Sequence, residues 1–573
     1  MGTSANDPAQ ILGALFEAGQ ETMRRFAAPP ASDGSPPTDP AAAFLAASKN
    51  FAELQQGYLQ QMAGFWSGMT GMAPAGGAGA QAGAVDDKRF AGEAWRTDPR
   101  FDLIKRTYLA YSDFWQRAVE AAPADDATRA QLRFGMRQFV DAMSPTNFLA
   151  TNPEAMQLAL ETGGQSLAQG MTLFFTDLAR GRISTTDETA FAIGKSLATT
   201  PGSVIFENDL IQVIQYTPAT QQVYERPMVM IPPCINKFYI LDLQPENSLV
   251  RYVVENGHTV FLVSWRNVGE DQGGLTWDDY LETGVLKAID VALAVSGADQ
   301  VNTLGFCVGG TMLASAVAVM KFNGDDKVAS MTLLTSMLDF SETGEIGTLV
   351  SEQSIAAREA AIGNGGLMHG KELAFAFSSL RANDLMWQYV VNGYLKGRAP
   401  PAFDMLYWNA DGTNLPGPMF CWYVRNTYLE NNLREADGTV QCGVPVDLSL
   451  VDVPAFLYAS RDDHIVPWRT AFASTELLAG ETTFVLGASG HIAGVINPAA
   501  KKKRNFWAEG ADGADPEHWF ATAKSVPGSW WPMWMGWLGE YAGAEVPAPV
   551  HPGNRKFPAI EPAPGRYVMT KAD

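Results

Sequence analysis

The chain has 573 residues, 46% hydrophobic and 11% aromatic, a composition typical of a globular protein with two or three domains. Its formal net charge of -21 argues against a nucleic-acid-binding protein and against electrostatic docking on an anionic membrane. The four cysteines do not form a close-spaced disulfide or zinc framework, so we expect a reduced, cytoplasmic setting.

Two features argue against export and membrane insertion. No uncharged apolar run approaches the roughly 18–20 residues that a helix needs to span a bilayer. The first seven residues lack the basic-then-apolar order of a secretion signal. We therefore expect a protein without a transmembrane segment.

Two amphipathic stretches lie near the start of the chain, at residues 7–26 and 44–69. A proline-rich linker at 29–40 separates them, and an Ala/Gly-rich segment at 73–84 follows them. Isolated amphipathic helices cannot bury their own apolar faces, so they either pack on the main body or coat another apolar surface. The sequence leaves both alternatives open. We assign residues 1–94 to an amphipathic, low-complexity N-terminal segment.

The next predicted unit is a helical N-terminal domain at residues 95–200. Phe101, Ile104, Tyr108 and Tyr111 recur at helical spacing in its first part. The same pattern continues to about residue 180.

β-type patterning begins near residue 201. Eight short runs, separated mostly by helical stretches, cover residues 204–206, 210–216, 228–231, 260–263, 301–306, 330–334, 455–458 and 484–486. Because strands that alternate with helices pair in parallel, we predict a doubly wound, mostly parallel α/β sheet covered on both faces. The active site of such a sheet lies at the carboxyl ends of its strands. We assign residues 201–573 to this catalytic domain.

One stretch, at about residues 339–447, interrupts the alternation with helices, glycine-rich turns and clustered aromatic residues. An insertion at this position predicts a cap over the nucleophile. The alternative is an additional helical layer without a gating role.

The rest of the chain is organised around the motif Gly305-Phe306-Cys307-Val308-Gly309. It joins a β-type run to a helix-forming stretch, which is the nucleophile-elbow pattern of α/β-hydrolases with sulfur in place of oxygen. A Cβ at either glycine would clash where the strand turns into the helix. The helix N-terminus would face the sulfur and favour its thiolate form. We predict an α/β-hydrolase fold with Cys307 as nucleophile; the alternative is a buried structural cysteine.

The partners of the nucleophile follow in the chain order acid, then histidine. Of the six histidines only His491 follows a late strand in a Gly/Ser loop, so we predict it to be the general base. Asp463, on the loop after the run at 455–458, is the predicted acid. Its neighbour Asp462 is the alternative, because sequence order alone does not separate them.

An oxyanion hole needs two N–H donors. The first is predicted at Val308, the residue after the nucleophile. The second is expected in the loop after residues 228–231, where Pro232 and Pro233 have no N–H, so Cys234 or Ile235 is the predicted donor. Cys234 would then lie close to Cys307. No metal-ligand spacing or nucleotide-binding motif is present, so we expect neither a metal nor a cofactor.

Sulfur in the elbow favours acyl transfer. A cysteine forms a thioester, so exchange with a thioester donor is nearly isoenergetic and the acyl group stays activated for an acceptor hydroxyl. The alternative function is a cysteine-dependent acyl-thioester or dienelactone-type hydrolase that uses water.

Several motifs resemble those of class I polyhydroxyalkanoate synthases, members of the α/β-hydrolase superfamily. They lie at residues 232–237, 305–310, 414–418, 460–468, 490–498, 529–532 and 561–568. The resemblance covers the chain from about Asp98 to the C-terminus. It departs from the family pattern at position 462, where the family typically has glutamate and this chain has aspartate.

The resemblance implies polymerisation of (R)-3-hydroxyacyl-CoA, chiefly 3-hydroxybutyryl-CoA, with release of CoA. It implies Cys307 as nucleophile, His491 as its base, and Asp463 as the third member, which helps to activate the 3-hydroxyl of the incoming unit. A coenzyme A thioester is thus the substrate, and no cofactor is implied. A non-enzymatic granule-coat protein on an inactive hydrolase fold is a further alternative.

The resemblance also implies a homodimer through the catalytic domain and a mobile cap. It implies a cytoplasmic protein on polyester granules, with the growing polyester chain, the granule surface and granule-coat proteins as partners. The N-terminal region is implicated in granule association.

Two further features have two interpretations each. The cationic run 501–504 either contacts the phosphates of CoA or is a solvated surface run. A set of tryptophans either lines a polymer exit path or packs in the core and cap: Trp408, Trp422, Trp530, Trp531, Trp534 and Trp537.

Overall fold

The computed structural model of the chain describes residues 53–60, 87–511, 513 and 515–572. The predicted amphipathic stretch at 7–26 lies outside the described residues. So does the stretch at 44–69, except for a helix at 53–60.

Contacts divide the described chain into two compact units. The first contains the residues up to Asp187 together with Phe377–Pro401. The second contains Glu188–Ala376 and the residues from Ala402 onwards. Residues 377–401 lie within the predicted cap insertion, yet their contacts place them with the N-terminal helices. The domain boundaries drawn from the sequence stay predictions.

The first unit is helical. Between residues 87 and 187 its α-helices are Ala94–Thr97, Pro99–Glu120, Asp126–Ala142, Pro153–Glu161 and Gln165–Arg180, and the later segment adds the π-helical turns Asn383–Trp387 and Val390–Leu395. Polar side chains cap the N-termini of two of these helices. The Asp98 carboxylate accepts a hydrogen bond from the Arg100 N–H, and the Asp125 carboxylate accepts one from the Thr128 N–H.

Aromatic and aliphatic side chains form the core of the first unit. Phe90, Trp95 and Tyr108 pack together with Leu132 and Met136, all buried. They come from four separate helical segments, with Leu132 and Met136 one turn apart on the helix Asp126–Ala142, so burial of apolar side chains between these segments stabilises the unit.

Eleven strands of the second unit form one sheet. In chain order they are β1 (Gly202–Glu207), β2 (Ile211–Tyr216), β3 (Met228–Ile231), β4 (Val260–Trp265), β5 (Val301–Phe306), β6 (Val328–Leu334), β7 (Ala455–Ser460), β8 (Thr482–Gly487), β9 (Asn505–Ala508), β10 (Lys524–Pro527) and β11 (Glu561–Pro562).

The strand order across the sheet is β10-β9-β8-β7-β6-β5-β3-β4-β2-β1-β11. The six strands from β8 to β4 in this order pair in parallel, and antiparallel strands extend the sheet on both sides. All residues of β5 and β6 are buried, as expected for strands covered on both faces. The predicted doubly wound, mostly parallel sheet is confirmed.

Helices and short strand pairs complete the second unit. Its α-helices are Leu249–Glu255, Trp277–Asp279, Lys287–Ser296, Val308–Phe322, Glu352–Ile362, Asp404–Asn409, Gly417–Val424, Trp468–Ala473, His491–Val495, Pro516–Thr522 and Trp531–Gly539, and the helix Gly370–Leu380 begins in this unit and ends in residues of the first. Two π-helical segments, Tyr280–Leu286 and Arg425–Leu429, continue helices of this unit. Short two-stranded pairs join Gln222–Tyr224 to Glu545–Pro547, Thr439–Gln441 to Val444–Val446, and Leu367–Met368 to Leu415–Pro416.

Most of the tryptophans considered for an exit path lie in the core. Trp530, Trp531 and Trp534 are at most 1% exposed. The Trp534 indole donates to the Thr332 hydroxyl at 3.0 Å, and the Trp530 ring stacks on Tyr458 at 4.4 Å. Trp408 is also buried, whereas Trp422 and Trp537 are half-buried. The structure therefore shows core packing for the four buried side chains.

Among the described residues, no helix combines the length and the apolar character needed to span a bilayer.

Candidate active site

Cys307 occupies a strained turn between β5 and the helix Val308–Phe322. Its backbone φ is 55° and ψ is -127°, a conformation that a non-glycine residue rarely adopts. The Cys307 N–H donates to the Leu334 carbonyl at 2.9 Å, which fixes the turn to the neighbouring strand β6. The side chain stays half-buried rather than fully enclosed.

The glycines around Cys307 allow backbones to approach each other. A Cβ on Gly305 would lie 2.4 Å from the Cα of Gly310, and a Cβ on Gly309 would lie 2.3 Å from the Ile231 carbonyl oxygen. Neither neighbour is a flexible side-chain end that can move away. The elbow therefore needs glycine at both positions, because strand, turn and helix pack backbone against backbone.

His491 and Asp463 form a buried pair at the carboxyl edge of the sheet. His491 begins the helix His491–Val495, and its Nδ1 lies 2.7 Å from Asp463 Oδ2. The other carboxylate oxygen of Asp463 accepts the N–H groups of Ile465 at 2.8 Å and Val466 at 2.9 Å. The side chain of Asp463 is 0% exposed. These contacts hold the carboxylate in one orientation against the imidazole.

Asp462 occupies a different environment from its neighbour. Its side chain is 60% exposed, and its Oδ1 lies 3.3 Å from Arg461 Nε. The structure thus brings Asp463, and not Asp462, to His491.

The imidazole of His491 interacts with the nucleophile as well as with the acid. Burial lowers the pKa of His491, but the negative charges of Asp463, which is hydrogen-bonded to the ring, and of Cys307 outweigh burial and raise this pKa above its ordinary value. The Phe306 ring stacks on the imidazole at 5.8 Å. The three predicted catalytic side chains therefore lie together in the structure.

The predicted oxyanion-hole residues lie beside the elbow. Val308 is the first residue of the helix that follows Cys307, where the backbone N–H has no intrahelical acceptor. Cys234 and Ile235 follow β3, the strand next to β5. Thr413 donates hydrogen bonds to both of their carbonyls. Its hydroxyl donates to the Cys234 carbonyl, and its N–H donates to the Ile235 carbonyl at 2.9 Å. The assignment of the N–H groups that donate to the oxyanion stays a prediction.

Cys234 is buried and lies close enough to Cys307 to interact with it electrostatically. Burial raises the pKa of the Cys234 thiol, and the charge of Cys307 raises it further. Cys234 therefore stays protonated, and this environment does not suit a second nucleophile.

Two tyrosines also interact electrostatically with the nucleophile: Tyr423, which the sequence placed only among the clustered aromatic residues of the region at 339–447, and Tyr428, which it did not single out. The rings of Tyr423 and Tyr428 lie 5.8 Å apart, and Phe340 packs on Tyr428 at 5.0 Å. Burial raises the pKa of both phenols, and the charge of Cys307 contributes to both shifts. Tyr428 lies on the π-helical turn Arg425–Leu429, whose wider winding breaks the regular helical spacing, so periodicity gave no signal for it.

The strand order and the elbow define an enzyme of the α/β-hydrolase fold, and a family model described as the alpha/beta hydrolase fold matches residues 227–498. A second family model, described as the poly-beta-hydroxybutyrate polymerase (PhaC) N-terminus, matches residues 86–253.

Curated relatives match along most of the chain. A poly(3-hydroxyalkanoate) polymerase subunit PhaC of Cupriavidus necator is 51% identical over 547 residues, covering 95% of this chain and 92% of the relative. A polymerase of Methylorubrum extorquens is 44% identical, with coverages of 85% and 81%, and a PhaC subunit of Rhizobium meliloti is 42% identical, with coverages of 85% and 80%. The chain belongs to the poly(3-hydroxyalkanoate) polymerase family, which confirms the resemblance found in the motifs.

Proposed function

We propose that this chain polymerises (R)-3-hydroxyacyl-CoA, chiefly 3-hydroxybutyryl-CoA, through acyl thioesters on Cys307 and releases CoA. The observation that carries this proposal is the convergence of Cys307, His491 and Asp463 at the carboxyl edge of the sheet, in a chain of the polymerase family. The interaction of the imidazole with the thiol on one side and with the carboxylate on the other is the arrangement of an activated sulfur nucleophile.

Acylation begins when the Cys307 thiolate, its proton held by His491, attacks the carbonyl carbon of the acyl-CoA thioester. The Val308 N–H and an N–H of Cys234 or Ile235 donate to the oxyanion of the tetrahedral intermediate. When the bond to the CoA sulfur breaks, the imidazolium returns its proton to the departing thiolate. The products are an acyl-Cys307 thioester and free CoA.

Elongation joins the 3-hydroxyl oxygen of one unit to the thioester carbonyl carbon of another. A base removes the hydroxyl proton, the new ester bond forms, and the sulfur that carried the acyl group leaves as a thiolate. Because a thioester is replaced by an oxyester, the step runs downhill and needs no further energy source.

The geometry favours His491 over Asp463 as the base for the 3-hydroxyl. The Asp463 side chain is fully buried, and both of its oxygens already accept hydrogen bonds, from His491 and from two backbone N–H groups. The Asp463 carboxylate is therefore not accessible to the 3-hydroxyl of a substrate. We assign Asp463 the role of holding the imidazole and stabilising its charged form.

The assembly and location proposed for this chain rest on family membership. We propose a homodimer on the surface of cytoplasmic polyester granules, with the growing chain and granule-coat proteins as partners. The Cupriavidus necator relative is named a polymerase subunit, which supports an assembled enzyme.

The test is incubation of the full chain with (R)-3-hydroxybutyryl-CoA while free thiol and insoluble product are followed. We expect CoA release coupled to polymer, and loss of both in Cys307→Ala. Cys442→Ala, a half-buried cysteine outside this constellation, is the matched control and should behave like the parent. Soluble 3-hydroxybutyrate without polymer would instead support the thioester hydrolase. CoA release unaffected by Cys307→Ala would overturn the mechanism.

A further inference from the structure

Four consecutive cations, Lys501, Lys502, Lys503 and Arg504, form an exposed segment that we call the cationic loop. None of these four side chains forms an ion pair with another described residue, and the acidic side chains of Asp462 and Glu509 pair with other cations, Arg461 at 3.3 Å and Lys524 at 2.6 Å. In a chain with a net charge of -21, the cationic loop is thus a local concentration of positive charge that no ion pair within the described part of the chain neutralises.

The cationic loop has a defined backbone. Lys502 and Arg504 have positive φ angles of 46° and 67°, which side chains other than glycine rarely adopt. The Arg504 carbonyl accepts the Gly528 N–H at 2.8 Å, and the Lys503 carbonyl accepts the side-chain amide of Asn497 at 3.4 Å. These bonds hold the segment in a fixed shape, so the four charges are presented together rather than on a free chain end.

The register of the sheet places the cationic loop at the catalytic edge. β9 runs antiparallel to β8, with Gly487 opposite Phe506, and the Ala488 N–H donates to the Asn505 carbonyl at 3.0 Å. The start of β9 therefore lies beside the end of β8. The loop that carries His491 leaves β8 at the same point, so the cations before β9 and the catalytic imidazole share one edge of the sheet.

We propose that the cationic loop binds the phosphates of the coenzyme A carrier of the incoming acyl group. Coenzyme A carries a diphosphate and a 3′-phosphate at the end remote from its thioester, so a substrate of this class is a polyanion that the acidic chain as a whole repels. A fixed group of cations at the catalytic edge reverses that repulsion locally, with lysine ammonium groups acting as point charges for phosphate. This inference rests on the proposed function, which makes an acyl-CoA the donor.

The test compares two thioesters of 3-hydroxybutyrate, one with CoA and one with N-acetylcysteamine, which has no phosphate. For the triple variant Lys501→Ala/Lys502→Ala/Lys503→Ala we expect KM for the CoA thioester to rise roughly tenfold, as three exposed charge contacts allow. Its kcat should not change, and neither should KM for the N-acetylcysteamine thioester. The parent's KM for the CoA thioester should also rise with salt more steeply than the variant's.

The control removes two exposed cations at the far side of the sheet, Arg555→Ala/Lys556→Ala, beside Phe557, which packs on Phe206 of β1. It should leave both KM values unchanged. An unchanged KM for the CoA thioester in the triple variant, or an equal rise for both thioesters, would overturn the inference.

A binding measurement separates this inference from the proposed function. Calorimetric titration with desulfo-coenzyme A, which cannot acylate or cross-link, should show roughly tenfold weaker binding to the triple variant than to the parent. If the parent makes no polymer but still binds desulfo-coenzyme A more tightly than the triple variant, the phosphate-binding role of the cationic loop is supported and the proposed function is contradicted. Equal binding of desulfo-coenzyme A by the two proteins, with polymerisation intact in the parent, would overturn the phosphate-binding role of the cationic loop and leave the proposed function unaffected.

Discussion

The pair of His491 and Asp463 shows how two neighbouring carboxylates acquire different roles. Asp463 is enclosed and accepts three hydrogen bonds, whereas Asp462 points into solvent beside Arg461. Only an enclosed carboxylate is screened weakly enough to hold an imidazole and favour its charged form. The adjacent exposed carboxylate is screened by water and contributes little.

Replacing Asp463 should therefore be far more damaging than replacing Asp462. We expect Asp463→Asn to lower kcat for CoA release by roughly 10³- to 10⁴-fold, because the amide neither stabilises the imidazolium nor selects the required tautomer. Asp462→Asn, the matched control on the same loop, should stay within about threefold of the parent, as surface changes usually do. Similar losses in both variants would contradict the assignment.

The same variants should shift the titration of His491 in a predictable direction. In the parent the negative charges of Asp463 and Cys307 raise the pKa of the His491 imidazole above its ordinary value. Asp463→Asn removes the larger of these two effects and leaves burial, which lowers the pKa of His491. NMR titration of the labelled ring should show the resonance changing at lower pH in Asp463→Asn, and at the parent's pH in Asp462→Asn. An unshifted titration in Asp463→Asn would show that the pair does not control the proton.

At the scale of elements, the elbow depends on close contact between strand β5, the turn and the helix Val308–Phe322. A Cβ at Gly305 or Gly309 would overlap backbone atoms of neighbouring elements. Such overlap can be relieved only by displacing the turn that carries Cys307, and misplacement by about 1 Å can cost roughly 100-fold in rate.

We therefore expect Gly305→Ala to lower kcat by roughly 100-fold or more and to reduce the melting temperature. The control is Gly536→Ala, in the helix Trp531–Gly539, where a Cβ would have no neighbour within 4 Å. This control should keep the parent's kcat and melt no lower, since alanine favours a helix over glycine. Circular dichroism and the thiol-release assay measure the two effects, and parent-like activity of Gly305→Ala would contradict the packing argument.

The central strands were predictable because burial on both faces gives continuous apolar runs. The predictions at 228–231 and 301–306 coincide with β3 and β5. The strands β9, β10 and β11 were missed. They are short, and β10 is exposed throughout, so they carry no such signal. Antiparallel pairing with an existing sheet edge forms these strands, and pairing of this kind cannot be read from local composition.

The site was predictable where a fixed motif specifies the geometry, as at Cys307 and His491. The choice between Asp462 and Asp463 needed coordinates, because it depends on which way each side chain points from one loop. The position of Tyr428 could not be predicted from the sequence, because a π-helical turn moves this residue off the helical period. The grouping of residues 377–401 with the first unit likewise depends on long-range contacts.

At the scale of the whole molecule, the C-terminal segment closes over a buried cation of the second unit. Lys237 is 2% exposed, and its ammonium group donates to the Thr570 carbonyl, while the Tyr567 hydroxyl donates to the Asn208 carbonyl at 2.7 Å. Burial lowers the pKa of Lys237, an effect that Asp411 opposes. Lys237 lies in the loop that also contains Cys234 and Ile235, so the C-terminal segment supports the predicted oxyanion hole.

Removing residues 567–573 should destabilise the protein, because the buried ammonium loses its carbonyl acceptor. We expect the melting temperature to fall by roughly 3–5 °C. Removing only residues 571–573 keeps the Thr570 carbonyl and should cost less. Lys237→Met in the longer truncation should recover part of the loss, since it removes the unpaired charge. Equal melting of the two truncated proteins would contradict this account.

The most direct test of the central claim is mass spectrometry of the acyl-enzyme formed with butyryl-CoA, which lacks the 3-hydroxyl and so cannot be elongated. The account predicts a single butyryl group on the peptide that contains Cys307, with one CoA released per site, and no label in Cys307→Ala. A butyryl group on Cys234, or CoA release with no acylated cysteine, would contradict it.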